Sequence, residues 1–230
     1  VLLSPSGDKA AYIAQIGWLS ADGKTAVPDA GTPWKADAAK LSPGKPVTLS
    51  WNNGANVTFR LIITLDEHYM FTVKQEVENR SGSEISVIPY GYVNRAYGGN
   101  GNMHNVIMHE GPMGVVEGVL TEIPYKDLQD NGNKSFDNSN GWFGITDKYW
   151  LAALIPSDTT HFKTTYSYYQ KNNIDRFQVD YMAPSQQVIS GATASHAVRL
   201  FTGAKEIDAL NAYTDGKDGA APIPLFDRAV

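Results

Sequence analysis

Tyr149-Trp150-Leu151-Ala152-Ala153-Leu154-Ile155, bounded by Lys148 and Pro156, is apolar at every position. Successive side chains of a strand point to opposite faces, so an unalternating run of this length marks a strand covered on both sides. It is too short to cross a membrane, which takes about 20 apolar residues. The stretch reads as the centre of a sheet in a layered β structure.

The runs around it do alternate. Val57, Phe59, Leu61 and Ile63 are interleaved with Thr58, Arg60, Ile62 and Thr64. Tyr69, Phe71, Val73 and Val77 follow, with Gln75 breaking the series at its fourth place. Phe162, Thr164, Tyr166 and Tyr168 make another such face, and Phe177, Val179 and Tyr181 a third. A period of two predicts strands with one side in a core and one in water. Asn53-Gly54 marks a hairpin; Asp66-Glu67-His68, Asn79-Arg80-Ser81-Gly82 and Lys171-Asn172-Asn173 mark further turns. Many strands joined by short turns predict an antiparallel sandwich or barrel. Trp18, Trp51 and Trp150 fall in these strand patterns and are expected in the core. Pro28 to Pro46 and Asp127 to Gly141, rich in turn residues, are expected to be exposed loops.

The end of the chain changes character. From Gly203 to Tyr213 the spacing predicts a helix with Ile207, Leu210 and Tyr213 as its inward stripe. Thr202 is placed to cap its start, and Gly216 lies just past its end. A Gly/Ala/Pro segment then leads to Ile223-Pro224-Leu225-Phe226-Asp227-Arg228. The expected organisation is a β domain over residues 1–202 and a C-terminal helix with an apolar lead-out over 203–230. The opening Val-Leu-Leu-Ser-Pro, with no initiator Met, reads as an internal cut in a longer protein.

Composition removes several kinds of chemistry. A chain of 230 residues buries a large core without staples. With 19 basic and 24 acidic residues its formal charge is −5, which argues against a general nucleic-acid binder. Having no Cys, it has no thiol nucleophile, thiolate metal site or disulfide. Ser6-Gly-Asp-Lys9 and Ser42-Pro-Gly-Lys45 match S-x-x-K, but turn residues stand where that chemistry needs a helix start, and the companion motifs are absent. His104 and His109 are five apart, off the helical spacing of H-E-x-x-H. Gly98-Gly99-Asn100-Gly101 lacks the spacing of a phosphate loop. Glu76, Glu78, Glu110, Glu117 and Glu122 are scattered, and spacing along strands cannot pair them across a cleft.

Gly141-Trp142-Phe143-Gly144-Ile145-Thr146-Asp147-Lys148-Tyr149-Trp150, with Leu151 to Pro156 behind it, resembles a strand pair of the large periplasmic domain of the YidC insertases. Leu200-Phe201-Thr202-Gly203-Ala204-Lys205-Glu206-Ile207-Asp208 resembles that domain's closing strand and first helix, with Ala204 where the family usually has Pro. Ile223 to Val230 resembles the run towards the family's interfacial helix and second membrane span. Val1 to Pro5 with Tyr12 to Trp18 resembles an interior strand region of the same domain. The resemblance implies a β-supersandwich similar to galactose mutarotase, with short C-terminal helices. It implies a periplasmic place beside the bacterial inner membrane, with tethering through segments outside this chain and the domain's first strands lying before Val1. It implies contacts with the SecD/SecF accessory proteins of the Sec translocon and with nascent membrane proteins. No catalytic residue, cofactor or metal is implied. Ile207, Leu210, Tyr213, Leu225 and Phe226 are the structural or interaction candidates. The alternative is a carbohydrate-binding or carbohydrate-modifying sandwich, on the strength of the aromatic content and the expected loop at Asp127 to Gly141.

Overall fold

The computed structural model describes residues 2–5, 10–97, 109–156, 161–216 and 221–230. Among them, fifteen strands form two antiparallel sheets packed face to face. The smaller sheet runs in the order β1 (Tyr12–Ser20), β6 (Ile85–Tyr97), β13 (Ile174–Met182), β12 (Phe162–Lys171), β9 (Lys134–Ser139), and β14 (Gln186–Val188) also pairs with β6. The larger runs β2 (Lys35–Ala36), β3 (Val47–Asn52), β4 (Val57–Leu65), β5 (Met70–Asn79), β15 (Thr193–Ala204), β11 (Trp150–Pro156), β10 (Phe143–Thr146), β7 (Gly111–Val116), β8 (Val119–Glu122). Two helices complete the chain, α1 (Tyr125–Asn131) and α2 (Ile207–Asp215), with a short 3-10 helix at Phe226–Ala229.

The expected hairpins form where the turn chemistry puts them. Asn53 Oδ1 accepts the backbone N–H of Ala55 and Val57, and Asn52 then faces Thr58 across the β3–β4 ladder. Asp66 Oδ1 accepts the N–H of His68 (2.8 Å) and Met70 (2.9 Å), closing the β4–β5 turn. Ser42 and Lys45 close a turn on each other through Lys45 N–H and Ser42 O, so that S-x-x-K match is a turn. Ser6 to Lys9, Gly98 to Gly101 and His104 lie outside the described residues. His109 sits 3.0 Å from the Pro112 carbonyl through Nε2.

The main core lies between the sheets. Trp18 meets Phe59 edge-on at 5.1 Å, and Phe143, Phe162 and Tyr181 form a triangle of rings with centroids 5.6–5.7 Å apart. Several polar ties cross this core, among them a contact of 3.0 Å between the Tyr181 hydroxyl and His196 Nε2. Tyr12 Oη donates to the Ile145 carbonyl (2.5 Å) and accepts from Ala152 N–H (3.2 Å). Gln75 Nε2 donates to the Gly17 carbonyl at 2.7 Å. Gln75 thus breaks the apolar series because it is an inward, fully buried amide bonded to the opposite sheet. Gly144 is required by close approach: a Cβ there would lie 2.1 Å from the Ala152 carbonyl oxygen and 2.7 Å from Ala153 Cα.

β11 lies between β15 and β10, as its composition predicts, and both faces are covered. Ala152 and Leu154 enter the main core; Leu151, Ala153 and Ile155 enter a second core on the outer face of the same sheet. Its first residues depart from expectation. Tyr149 and Trp150 are exposed, because they sit at the turn end of the strand where no layer covers them. Asp127 to Gly141 is also not one loop: it holds most of α1 and all of β9. β9 is a polar edge strand, stabilised by its ladder to β12 and by Phe136 packing on Tyr166 at 6.0 Å, so apolar alternation could not reveal it. β15 continues through Thr202 to Ala204, and Glu206, not Thr202, is the N-cap of α2, without a side-chain capping bond. Gly216 ends α2 in the left-handed conformation (φ 69°), as its place in the sequence predicts.

A candidate interaction site at the C-terminal cap

α2 and the 3-10 helix cover part of the outer face of the larger sheet and build the second core with it. Phe201 from β15, Met113 and Val115 from β7, and Trp142 just before β10 supply the sheet side. Leu210, Tyr213, Ile223, Phe226 and Ala229 supply the cap. Phe226 is the hub: its ring stands edge-on to Trp142 at 5.1 Å, to Phe201 at 5.5 Å and to Tyr213 at 6.2 Å. Edge-to-face contact sets the positive ring edge against the negative ring face, so the cluster fixes orientation as well as burying area.

Polar bonds fasten the rim of the cap. Trp142 Nε1 donates to the Pro224 carbonyl at 3.0 Å, and Arg199 Nη1 to the Ala221 carbonyl at 2.9 Å. The N–H groups of Ile223 and Asp227 donate to the Tyr213 carbonyl and Thr214 Oγ1. Tyr213 Oη donates to Asp66 Oδ2 at 2.6 Å, tying α2 to the β4–β5 turn. Burial, then the adjacent Asp66 carboxylate, push the Tyr213 phenol far above its usual range, so it stays a proton donor at any physiological pH.

The five candidate residues separate into three groups. Leu210, Tyr213 and Phe226 are buried in the second core. Leu225 is half-buried and holds a left-handed backbone (φ 58°) at the start of the 3-10 helix. Ile207 is not inward; it is 60% exposed. The face of α2 that is buried carries Ala209, Leu210 and Tyr213, and Ile207 lies off it. Sequence reasoning missed Trp142, Arg199 and Asp66. Trp142 lay inside the quoted strand-pair motif, Arg199 gave no signal, and Asp66 was visible only as a turn residue.

At the strand end where α2 begins, Arg95 pairs with Asp147 and stands over the Tyr12 ring at 4.8 Å, beside a cavity of about 410 Å³ rimmed by Trp150. Burial chiefly, offset in part by Arg95, raises the Tyr12 phenol far above its usual range, and its hydroxyl is already bonded on both sides. The Arg95–Asp147 pair and the doubly bonded Tyr12 hydroxyl tie β1, β6 and the β10–β11 turn together at this end of the sandwich. Glu78 bridges Arg60 and Arg80, and Glu76 pairs with Lys74 at 2.7 Å. Among the described residues, no group of three His, Asp or Glu side chains could hold a metal ion.

Comparison with known proteins places this geometry. A family model described as YidC periplasmic domain matches residues 1–230. The membrane protein insertase YidC of Rickettsia bellii (strain OSU 85-389) is 42% identical over 231 residues, and that of Rickettsia rickettsii (strain Sheila Smith) 40% identical over 230. Each alignment covers 100% of this chain and 40% of the relative, so the chain spans about 40% of the length of these curated relatives. Among solved structures, the α-galactosidase from Lactobacillus brevis aligns with a TM-score of 0.51 at 9% identity, covering 85% of this chain and 30% of that one. A galactose mutarotase-like protein from Lactobacillus casei aligns with a TM-score of 0.49 at 13% identity, covering 74% and 72%. At 9% identity the likeness to the α-galactosidase concerns the fold alone, a β-sandwich.

Proposed function

The chain belongs to the YidC periplasmic domain family, and on that premise we propose that it is the periplasmic, non-catalytic interaction module of a membrane protein insertase. In this reading it lies on the periplasmic side of the bacterial inner membrane, and the membrane-spanning machinery lies outside residues 1–230. Among the described residues no helix is long and apolar enough to cross a membrane. Its partners are the SecD/SecF accessory proteins of the Sec translocon and nascent membrane proteins.

The observation that supports this reading most is the cap. Its aromatic hub is continuous with the sheet through Trp142 and Phe201, so α2 and the 3-10 helix are packed into the sandwich through a shared core. An interaction module needs such a fixed surface more than it needs reactive groups, and ion pairs such as Glu78 with Arg60 fasten strands of the larger sheet to one another. The test is a domain exchange. This chain replaces the matching region of a full-length relative, and growth is followed while the resident insertase is depleted. The exchanged protein is expected to sustain growth, and Leu210→Ala with Phe226→Ala to impair it. An exchanged protein that accumulates in the membrane at normal level yet fails to sustain growth would overturn the assignment.

A further inference from the structure

The outward face of the smaller sheet, opposite the side that carries the main core, holds an ordered array of phenols and amides. Gln15 on β1 faces Tyr92 on β6, and Tyr92 faces Asp180 on β13; Asn94 faces Gln178 in the next outward row. Their neighbours in sequence, Val93, Val179 and Tyr181, point the other way and are buried. The Tyr90 and Tyr92 rings stack at 6.4 Å with 15° between planes, and Tyr90 lies close over Gly17, where a Cβ would meet its ring at 3.2 Å. Tyr169 on β12 joins them and remains 39% exposed.

Hydrogen bonds fix the polarity of this array. Arg176 can only donate, and its Nη1 donates to Asn94 Oδ1 at 3.2 Å, which fixes the Asn94 amide. Asn94 Nδ2 then donates to Tyr169 Oη (3.0 Å) and Gln178 Oε1 (3.2 Å), and Gln178 Nε2 donates to Asp180 Oδ2 (3.0 Å). Gln15 Nε2 donates to Tyr90 Oη (2.7 Å) while Tyr92 Oη donates to Gln15 Oε1 (2.6 Å). What is left over follows from the donor and acceptor inventory. Tyr90 and Tyr169 accept from the amides and keep their protons to give; Tyr92 keeps an oxygen to accept with, and Asp180 keeps Oδ1.

Aromatic rings beside alternating, prearranged donors and acceptors match a ring whose hydroxyls each donate and accept. The charged members of the array are the buried Arg176 guanidinium, turned to Asn94, and the Asp180 carboxylate, and their opposite charges balance, which suits a neutral ligand. We propose that this face binds a neutral carbohydrate of one or two pyranose units, through Tyr90, Tyr92, Tyr169 and Asp180. The site is separate from the cap and independent of the insertase reading.

The test titrates the 230-residue chain with maltose and with N,N′-diacetylchitobiose, by calorimetry and by saturation-transfer NMR. Saturable binding is expected, with Kd of about 1 mM or tighter for at least one probe. Tyr92→Phe and Asp180→Asn keep the shape and remove one polar contact, and each is expected to weaken binding about tenfold, the worth of one hydrogen bond to a ligand. Melting curves identify any variant that fails to fold, and Tyr169→Phe, at an exposed position, then supplies the same reading. The proposal is overturned if neither sugar saturates, if the folded variants bind like the wild type, or if an unfolded polypeptide such as reduced carboxymethylated lactalbumin occupies this face and the sugars do not.

Discussion

Replacing Phe226 by Ala tests whether the cap is part of the fold. The side chain is fully buried and touches three other aromatic rings. Truncating a buried Phe costs about 3–5 kcal/mol, and the loss of edge-to-face partners places this case near 4 kcal/mol. For a chain of this length each kcal/mol moves Tm by about 2–4 °C, so the expected drop is about 8–16 °C. Differential scanning calorimetry reads the drop, and amide exchange locates it: α2 should lose protection before the sheets do. Ile207→Ala, at a 60% exposed position, is the control and should stay within about 0.5 kcal/mol of the wild type. If Phe226→Ala melts with the wild type, or the two variants fall equally, the cap frays independently of the sandwich and the reasoning is wrong.

Tyr213→Phe removes the donor to Asp66 and leaves the packing; a loss of about 1–2 kcal/mol is expected by chemical denaturation, and none at all would show the bond to be idle. Gly144→Ala drives a methyl into the backbone of β11 and should cost more than about 3 kcal/mol, whereas Gly23→Ala, in open space with φ +65°, should cost about 1 kcal/mol; equal melting of the two would refute the close-approach argument. Slight burial raises the Asp22 carboxyl, but the N–H groups of Thr25 and Lys24 and the hydroxyls of Thr25 and Ser20 outweigh it and hold it well below the usual carboxylate range. A carboxyl depressed in the folded state stabilises fully above its unfolded pKa, and the gain is lost as pH falls towards the folded value. Asp22→Asn should therefore flatten the acid side of the stability profile, below about pH 4, and an unchanged profile would remove Asp22 from that role.

The parts of the fold that were legible in the sequence are those where one local rule acts alone. Alternation in β4, β12 and β13 was readable because each has one face in the main core and one outward. The double apolar character of β11 was readable because two cores meet on it. What stayed hidden depends on partners distant in the chain. Gln75 looks like a flaw until Gly17, 58 residues away, is brought opposite it. β9 has only polar edge chemistry of its own, and α1 is seven residues long with only Tyr125 and Leu128 buried. At the cap, spacing along the helix placed Leu210 and Tyr213 inward, where both are buried, but it also placed Ile207 inward, which is exposed. The phenol and amide face was invisible for the same reason: Gln15, Tyr92 and Asp180 converge only through strand register.

The most direct measurement is crosslinking in living cells that express the full-length protein containing this chain, with photoreactive residues at the exposed rim of the cap, Tyr149 and Ile207, and at Val119 on the far edge strand of the larger sheet. The account predicts adducts with SecD/SecF or with nascent membrane proteins from the cap rim, reduced when Phe226→Ala loosens the cap. Adducts confined to unrelated periplasmic proteins, equal from all three positions and indifferent to Phe226→Ala, would contradict it.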